Sequence, residues 1–280
     1  MPSVLVTGAA RGIGRAATLR LASSGWDVFA GVRRAEDREA LAAAAGGASV
    51  VPVALDITDA DQVAALDAAL PTRLDALVNN AGIVVGGPVE GVPLDDLRRQ
   101  LEVNLIGQVA VTQAVMARLR ASGGRVVFVS SLSGRVATPM TGPYNASKFA
   151  LEGLVDALRM EVRPWGVGVV LVEPAQTDTD MWRDADSSLD ESVAALAPEH
   201  RELYAKHIEG WRKSIPRSQR MASSVDGVAA AIEQALTARR PRARYVVGLG
   251  PRVQGAMASL TPTAVMDAVL RAATGVPKRP

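Results

Sequence analysis

The sequence predicts an α/β fold: a doubly wound, mostly parallel sheet of seven strands with helices on both faces. Three observations carry this expectation. Short apolar runs alternate with longer segments of helical periodicity from Ser3 to Val172. The runs are continuously hydrophobic, as strands buried on both faces require. Gly8, Asn79, Ser131 and Pro174 each follow the end of such a run. The polar chemistry therefore gathers along the carboxyl edge of the sheet, where open α/β sheets bind ligands.

Ser3 to Thr7 reads as the first strand and Ile13 to Ser24 as a helix ended by Gly25. Between them runs Thr7-Gly8-Ala9-Ala10-Arg11-Gly12-Ile13-Gly14. Gly8, Gly12 and Gly14 permit a tight turn, close approach of backbone N–H groups to a pyrophosphate, and close packing of helix on sheet. Ile13 opens the helix whose N-terminus faces the anion. The spacing, G-x-x-x-G-x-G, differs from the usual dinucleotide fingerprint of the Rossmann fold, and the missing Gly-Lys-Ser/Thr argues against a P-loop nucleotidase.

The second strand, Asp27 to Val32, runs into Arg33-Arg34. A binder of NAD places an acid near this point for the ribose 2′-hydroxyl. Here Asp27 stands too early and Glu36 too late. Arg33 and Arg11 can instead converge on a 2′-phosphate, a geometry that suits guanidinium. NADP(H) is therefore the preferred cofactor, with NAD(H) possible; the bland alternative is that Arg33 and Arg34 cap a loop.

Val50 to Leu55 is the third strand and leads to Asp56, an acceptor for an adenine amino group. Asp59 to Leu70 reads as a helix with an acidic first turn. Leu74 to Val78 is the fourth strand, running into Asn79-Asn80-Ala81-Gly82, a set suited to a strand-end turn beside a ligand. A helical pattern from Leu94 to Arg120 contains Asn104 among Val103, Leu105 and Ile106. A buried asparagine needs partners, so it is a brace or part of a site. Arg125 to Val129 is the fifth strand, ending at Ser130-Ser131.

Gly142-Pro143 starts a helix with proline at its first turn. Tyr144 and Lys148 lie four apart and share one face of it. A tyrosine titrates near pH ~10, so proton transfer near neutrality needs a depression of roughly three units, on the order of 4 kcal/mol. A lysine held in a poorly solvated pocket, helped by a cationic cofactor, supplies much of that. Taken alone, such a pair also describes a solvated helix face.

Gly166 to Val172 is the sixth strand. From about 176 to 220 the pattern loosens, and acids alternate with Met181, Trp182, Leu189, Tyr204, Ile208 and Trp211. Several large apolar groups left in water are costly, at roughly 1.5–3 kcal/mol each. The segment reads as a mobile, solvated lid that closes over an apolar substrate, with Met140 and Val84 on the opposite wall. The alternative is that these residues cover the sheet edge. Ser223 to Ala238 reads as a helix, Arg244 to Gly248 as a last strand, and Thr263 to Ala273 as an amphipathic helix in an extension from about 250 to 280. One domain is expected over 1–280.

Composition narrows the function classes. The chain is 48% hydrophobic, ample for a sizeable core, and contains no cysteine and only two histidines, His200 and His207. Neither a disulfide framework nor a metal centre is expected. No run approaches the ~18 apolar residues of a membrane span, and a soluble, cytoplasmic protein is expected. The pI of 9.2 invites a nucleic-acid partner, yet the net charge is only +2. Arg239, Arg240, Arg242 and Arg244 come without interleaved aromatics, so they read as solvated arginines near a helix C-terminus.

Taken together, these motifs resemble the short-chain dehydrogenase/reductase family over roughly the first 250 residues. The resemblance rests on Thr7-Gly8-x-x-x-Gly12-Ile13-Gly14, Asn79-Asn80-Ala81-Gly82, Asn104, Ser131 and Tyr144-x-x-x-Lys148, in family order and spacing. It implies a nicotinamide-dependent oxidoreductase acting between alcohol and carbonyl. Tyr144 would exchange a proton with the substrate oxygen, Lys148 would lower its pKa and hold the nicotinamide ribose, and Ser131 would polarise the substrate. Asn104 would hold a water linking Lys148 to solvent. Thr177 and Thr179 stand where the family contacts carboxamide and phosphate, and Pro174-Ala175 replaces the usual Pro-Gly. The stretches Val28 to Arg34 and Arg244 to Gly248 look like members acting on steroids, retinoids or similar lipids. With Ser131 and Tyr144, residues Met140, Met181 and Trp182 are the expected substrate contacts. A small apolar ketone or alcohol is the expected substrate, with no nucleic acid, and a homodimer or homotetramer the expected assembly. A catalytically weak NADPH-binding sensor or scaffold of the same fold is the alternative.

Overall fold

The structure, a computed structural model, describes residues 1–220, 222–248 and 261–277, without the side chains of Met181 and Trp182. Seven strands form one sheet: β1 (Ser3–Thr7), β2 (Asp27–Val32), β3 (Val50–Ala54), β4 (Ala76–Asn79), β5 (Arg125–Val129), β6 (Gly168–Pro174) and β7 (Arg244–Val247). Their order is β3-β2-β1-β4-β5-β6-β7, and every neighbouring pair is parallel. Val4 pairs with Val28 on one side and Ala76 on the other. The order reverses between β1 and β4, so a crevice opens at their carboxyl ends.

Helices cover both faces. On one, α1 (Gly12–Ser23) and α11 (Val225–Thr237) bury Ala17, Leu21, Val228 and Ile232 against Val4, Val6, Val28 and Val170; Leu41 of α2 (Ala35–Ala44) joins the same core. On the other, α3 (Ala60–Ala69), α5 (Gly107–Ser122) and α6 (Gly142–Glu161) bury Leu66, Val111, Leu119 and Leu151 against Leu5, Leu77, Phe128 and Leu171. Alternate residues of one strand thus feed opposite cores, which is why the strands carry no polar face. Asp59 caps α3 by accepting from the N–H groups of Asp61 and Gln62.

Two segments differ from the sequence expectation. The long helix is interrupted: α4 (Leu94–Leu101) passes through a π-helical turn at Glu102–Ile106 before α5 begins. Asn104 sits in that turn. The stretch from 176 to 220 is helical rather than a solvated loop, comprising α7 (Asp180–Arg183), α8 (Ala185–Ala194), α9 (Pro198–Leu203) and α10 (Ala205–Arg220). Several of its acids are spent on ion pairs of the helix surfaces. Arg212 bridges Asp186 and Asp190, and Arg183 bridges Asp178 and Asp180. Leu189, Leu196, Ile208 and Ile215 pack with Met140 into a small separate core.

A final helix, α12 (Thr263–Thr274), lies against α10. Among the described residues, no helix is long and apolar enough to cross a membrane, and no group of His, Asp or Glu side chains could hold a metal ion.

Candidate active site

The carboxyl edge of the sheet opens into a cleft of about 1040 Å³ that runs from the loop after β1 to the helices α10 and α12. At one end lies the glycine turn. Gly8 adopts φ +64°, a left-handed conformation that favours glycine. Gly14 is a matter of space: a Cβ there would lie 2.1 Å from the carbonyl oxygen of Gly8 and 2.5 Å from Asn80 Nδ2. Gly14 thus lies behind the cleft wall, which Gly8, Arg11, Gly12 and Ile13 form. No side chain caps α1, so its N-terminal amide groups are available to an anion.

Arg33 and Arg11 line the cleft beside Asp37. The sequence reading placed no carboxylate here, and the fold corrects it by bringing Asp37 round on α2. Arg34 answers that charge, donating to both carboxylate oxygens at 2.9 and 3.1 Å. The guanidinium holds the Asp37 carboxyl below its usual range. Arg34 is thus committed to its own helix, and Arg11 and Arg33 are left to meet an anion. Asp56 lines the cleft beyond them, with Oδ1 accepting from the N–H and hydroxyl of Thr58.

The floor between the two ends is a turn held by side chains. Thr7 Oγ1 accepts from the N–H groups of Asn80 and Ala81, at 3.0 and 3.1 Å, while Asn80 Nδ2 donates to the carbonyls of Thr7 and Gly8. From the other side, one face of α4 and α5 supports the segment from 79 to 85. Gln100 accepts from the N–H of Val85 and donates to the carbonyl of Ile83. Asn104 accepts from the N–H of Ile83 and donates to its carbonyl and to Ser147 Oγ. Gln108 donates to the carbonyl of Ala81, and Thr112 accepts from Asn79. These four residues are almost completely buried and fall at a spacing of four. That polar stripe in an apolar helix was a readable signal, yet only Asn104 stood out. Both N–H groups of its amide are used by Ile83 and Ser147 and its oxygen accepts from Ile83, so the side chain braces this segment.

At the other end, α6 presents Tyr144 and Lys148 on one face, as the spacing predicts. Lys148 is 5% exposed, its Nζ donates to the carbonyl of Val129 at 2.8 Å, and it lies 5.8 Å from the centre of the Tyr144 ring. Burial lowers its pKa to about 8, against the partial opposition of Glu152. Burial raises the pKa of Tyr144, and the neighbouring Ser131 hydroxyl draws it back. The sequence expectation was a lowered phenol. In the structure the desolvation of the buried phenol outweighs the Ser131 hydrogen bond. Ser131 accepts from the N–H of Ser133, which fixes the hydroxyl at the start of a short 3₁₀ turn, Leu132–Gly134. Tyr144, Lys148 and Ser131 all line the cleft.

One helical turn beyond Lys148 lies a group that sequence reasoning missed. Arg244, expected to be solvated, sits on β7 and pairs with Glu152, Asp156 and Glu173 at 3.1, 2.7 and 3.1 Å. Arg135 reaches Glu173 from the other side. Burial raises the pKa of both Glu152 and Glu173. Long-range pairing across β6, β7 and α6 creates this cluster, and nothing local in the sequence marks it.

Pro174 ends β6, and Thr177 and Thr179 follow it on the cleft wall; Thr177 Oγ1 donates to the carbonyl of Ala175. Val84 and Trp211 also line the cleft. Met140 does not: it is 5% exposed, adopts φ +65°, and packs inside the core of the helical segment. It supports that segment from beneath, a correction to its expected place on the substrate wall. The side chains of Met181 and Trp182 lie outside the described residues.

The arrangement is that of a dinucleotide-binding oxidoreductase: a glycine turn at the switch point of a doubly wound sheet, and a phenol, ammonium and hydroxyl at the far end of the same cleft. The family model for short chain dehydrogenases matches residues 2–190, and the chain belongs to that family. It is 33% identical to an NADPH-dependent 3-dehydrocapnine reductase of Ornithobacterium rhinotracheale, over 96% of each protein. It is 35% identical to retinol dehydrogenase 5 of Mus musculus, over 95% of this chain and 87% of the relative. Among solved structures, a short chain dehydrogenase from Burkholderia cenocepacia in complex with NADP superposes with a TM-score of 0.75 at 26% identity, covering 96% of this chain and 97% of that one. A relative from Burkholderia phymatum, in complex with NAD, superposes equally well at 25% identity, covering 91% and 92%.

Proposed function

We propose that this protein is an NADP(H)-dependent oxidoreductase that interconverts a carbonyl and a secondary alcohol on a small, apolar substrate, with Tyr144 as general acid and base. One observation carries the reading. Tyr144, Lys148 and Ser131 share a cleft with the glycine turn and with Arg11 and Arg33, so a dinucleotide held by the latter extends toward the former.

The pyrophosphate falls to the turn of Gly8, Arg11, Gly12 and Ile13. The 2′-phosphate falls to Arg11 and Arg33, and the adenine amino group to Asp56. Asn80, Ala81 and Gly82 form the floor, and Pro174, Thr177 and Thr179 serve the carboxamide and phosphate. When bound, the cofactor supplies or accepts the hydride. The protein moves the proton: Tyr144 gives one to the carbonyl oxygen in reduction and takes one in oxidation. Ser131 orients that oxygen. Lys148, an ammonium below a pH of about 8, holds the ribose and stabilises the phenolate that burial otherwise disfavours. With the Asn104 side chain committed to Ile83 and Ser147, a water between Lys148 and solvent would be held by backbone around the π-helical turn.

Preference for NADP(H) is supported by Arg11 and Arg33 and by the name of the Ornithobacterium reductase, while NAD(H) remains a usable cofactor. An apolar substrate is supported by Val84, Trp211 and Ile215 on the cleft wall, and retinol, named in another relative, is an apolar alcohol. Exposed Ile106, Phe149 and Met160, on the helices around Asn104 and Tyr144, fit assembly as a homodimer or homotetramer. A sensor or scaffold of the same fold would need the dinucleotide end alone. Turnover of a panel of ketones and aldehydes with NADPH separates the two readings: consumption of NADPH that depends on the carbonyl compound is expected, and binding of NADPH with no consumption across the panel would favour the sensor.

A further inference from the structure

The short-chain dehydrogenase family usually has a glycine after the proline that ends β6, and this chain has Ala175. The structure gives the extra methyl a partner. Ala175 packs in an apolar cluster with Leu132 and Val136, which follow Ser131, and with Met266 and Leu270 of α12. Leu270 is 9% exposed, and it lines the cleft together with Ala273 and Thr274. Thr274 turns its hydroxyl away onto the carbonyl of Leu270 at 2.7 Å, so α12 offers the cleft an apolar face.

A second contact fixes the other end of α12. Gly275, at φ +72°, closes the helix, and its backbone lies against Gly210 of α10. A Cβ on Gly210 would fall 2.2 Å from the carbonyl oxygen of Gly275, and one on Gly275 would fall 2.7 Å from the Cα of Gly210. The two helices therefore meet backbone to backbone, with no side chain able to slip between them. Trp211 and Ile215, which follow Gly210 on α10, line the same cleft as Leu270. The spacing of the walls is set by a contact that cannot be widened or narrowed by a rotamer change.

We infer that α12 is a fixed wall of the substrate site, seated on the catalytic corner by Ala175 and clamped to α10 by Gly210 and Gly275, and that Leu270 sets how long an apolar chain can extend from Tyr144. The inference rests on the alcohol–carbonyl reading of the cleft. Its ligand class is an elongated, uncharged carbonyl or alcohol whose chain runs between α10 and α12.

The test measures the two ketones butanone and 2-dodecanone separately in binding, on the NADP-loaded protein, and in turnover, with NADPH as the hydride source. Leu270→Trp narrows the passage. It should weaken 2-dodecanone at least about tenfold more than it weakens butanone, since several methylenes lose their place at once. Leu270→Ala should shift the preference the opposite way. Gly210→Ala places a better helix former in α10, yet should speed hydrogen exchange of the backbone amides from 263 to 274, because the clamp no longer closes. Wild-type protein that binds no 2-dodecanone, or a chain-length preference unchanged in both Leu270 variants, overturns the inference, as does unchanged exchange in Gly210→Ala. Ketones that bind with the expected preference but are not reduced would instead sink the proposed hydride chemistry and leave the wall standing.

Discussion

The cleft has two halves built in different ways. The dinucleotide half, from β1 to the floor at Gly82, is made of turns and backbone groups held by short-range and strand-to-strand hydrogen bonds. Thr7, Asn80, Gln100 and Gln108 fix its shape atom by atom. The proposed substrate half, from Ala175 through α10 and on to α12, is made chiefly of side chains packed between helices, with Leu189, Ile208 and Ile215 as its core, apart from the backbone contact of Gly210 with Gly275. A half that must match one invariant ligand is specified by backbone and fails when a single atom is added. A half that meets variable ligands is specified by packing and adjusts by degrees.

This contrast can be broken at its strongest point first. Gly14→Ala puts a methyl 2.1 Å from the Gly8 carbonyl oxygen, a backbone atom, and 2.5 Å from Asn80 Nδ2, whose hydrogen bonds to Thr7 and Gly8 hold it in place. Stability should fall by roughly 1–3 kcal/mol or more, and NADPH affinity should fall with it. Denaturant melts beside NADPH titration measure both. Wild-type values for each would mean that the turn is not rigid.

Removing one of the cofactor-facing cations is the next step down. Arg33→Ala should weaken NADPH by up to about 3 kcal/mol, the range of a charge-assisted contact, and change NADH by a few tenths. Titration with both cofactors decides it. Equal affinity of the wild-type protein for the two would remove the 2′-phosphate assignment.

Proton concentration gives a subtler probe. Burial lowers Lys148 from 10.5 to about 8, so its ammonium is present below that pH and lost above it. A cofactor that needs the ammonium should bind with constant affinity below about pH 8 and lose up to tenfold per unit above it. Lys148→Arg keeps its charge throughout this range and should flatten that limb, whatever it costs in overall affinity. The same decline in both proteins would assign the limb to another group.

The smallest effect belongs to the substrate half. Arg212 is partly exposed and its partners Asp186 and Asp190 more so, and such pairs contribute about 1 kcal/mol at most. Arg212→Ala should lower the melting temperature slightly and leave NADPH affinity alone. A loss of cofactor binding would show that the two halves are coupled.

The same division decides what was legible in the sequence. Gly8, Gly12, Asn80, Ser131, Tyr144 and Lys148 were readable because each is imposed by local geometry: a turn, a strand end, or two residues a helical turn apart. The strands were readable because burial on both faces leaves a continuous apolar run. The segment from 176 to 220 was misread as a solvated loop because its acids hide that they pair with Arg183 and Arg212. Met140 was misplaced for a related reason, since its neighbours Leu189 and Ile208 reach it only through the tertiary fold. Arg244 shows the limit clearly, since Asp156 and Glu173 reach it from α6 and β6. A charge looks solvated in sequence until the fold brings its counterpart from another element.

The most direct measurement concerns Tyr144. Tyr144→Phe keeps the ring that packs beside Lys148 and removes only the hydroxyl that carries the transferable proton. On a carbonyl compound that the wild-type protein reduces with NADPH, kcat should fall at least ~10²-fold, while NADPH affinity stays within about twofold because the lost hydroxyl contributes little to binding. Near wild-type kcat in Tyr144→Phe, with cofactor binding intact, would contradict the assignment of Tyr144 as the acid and base of this site.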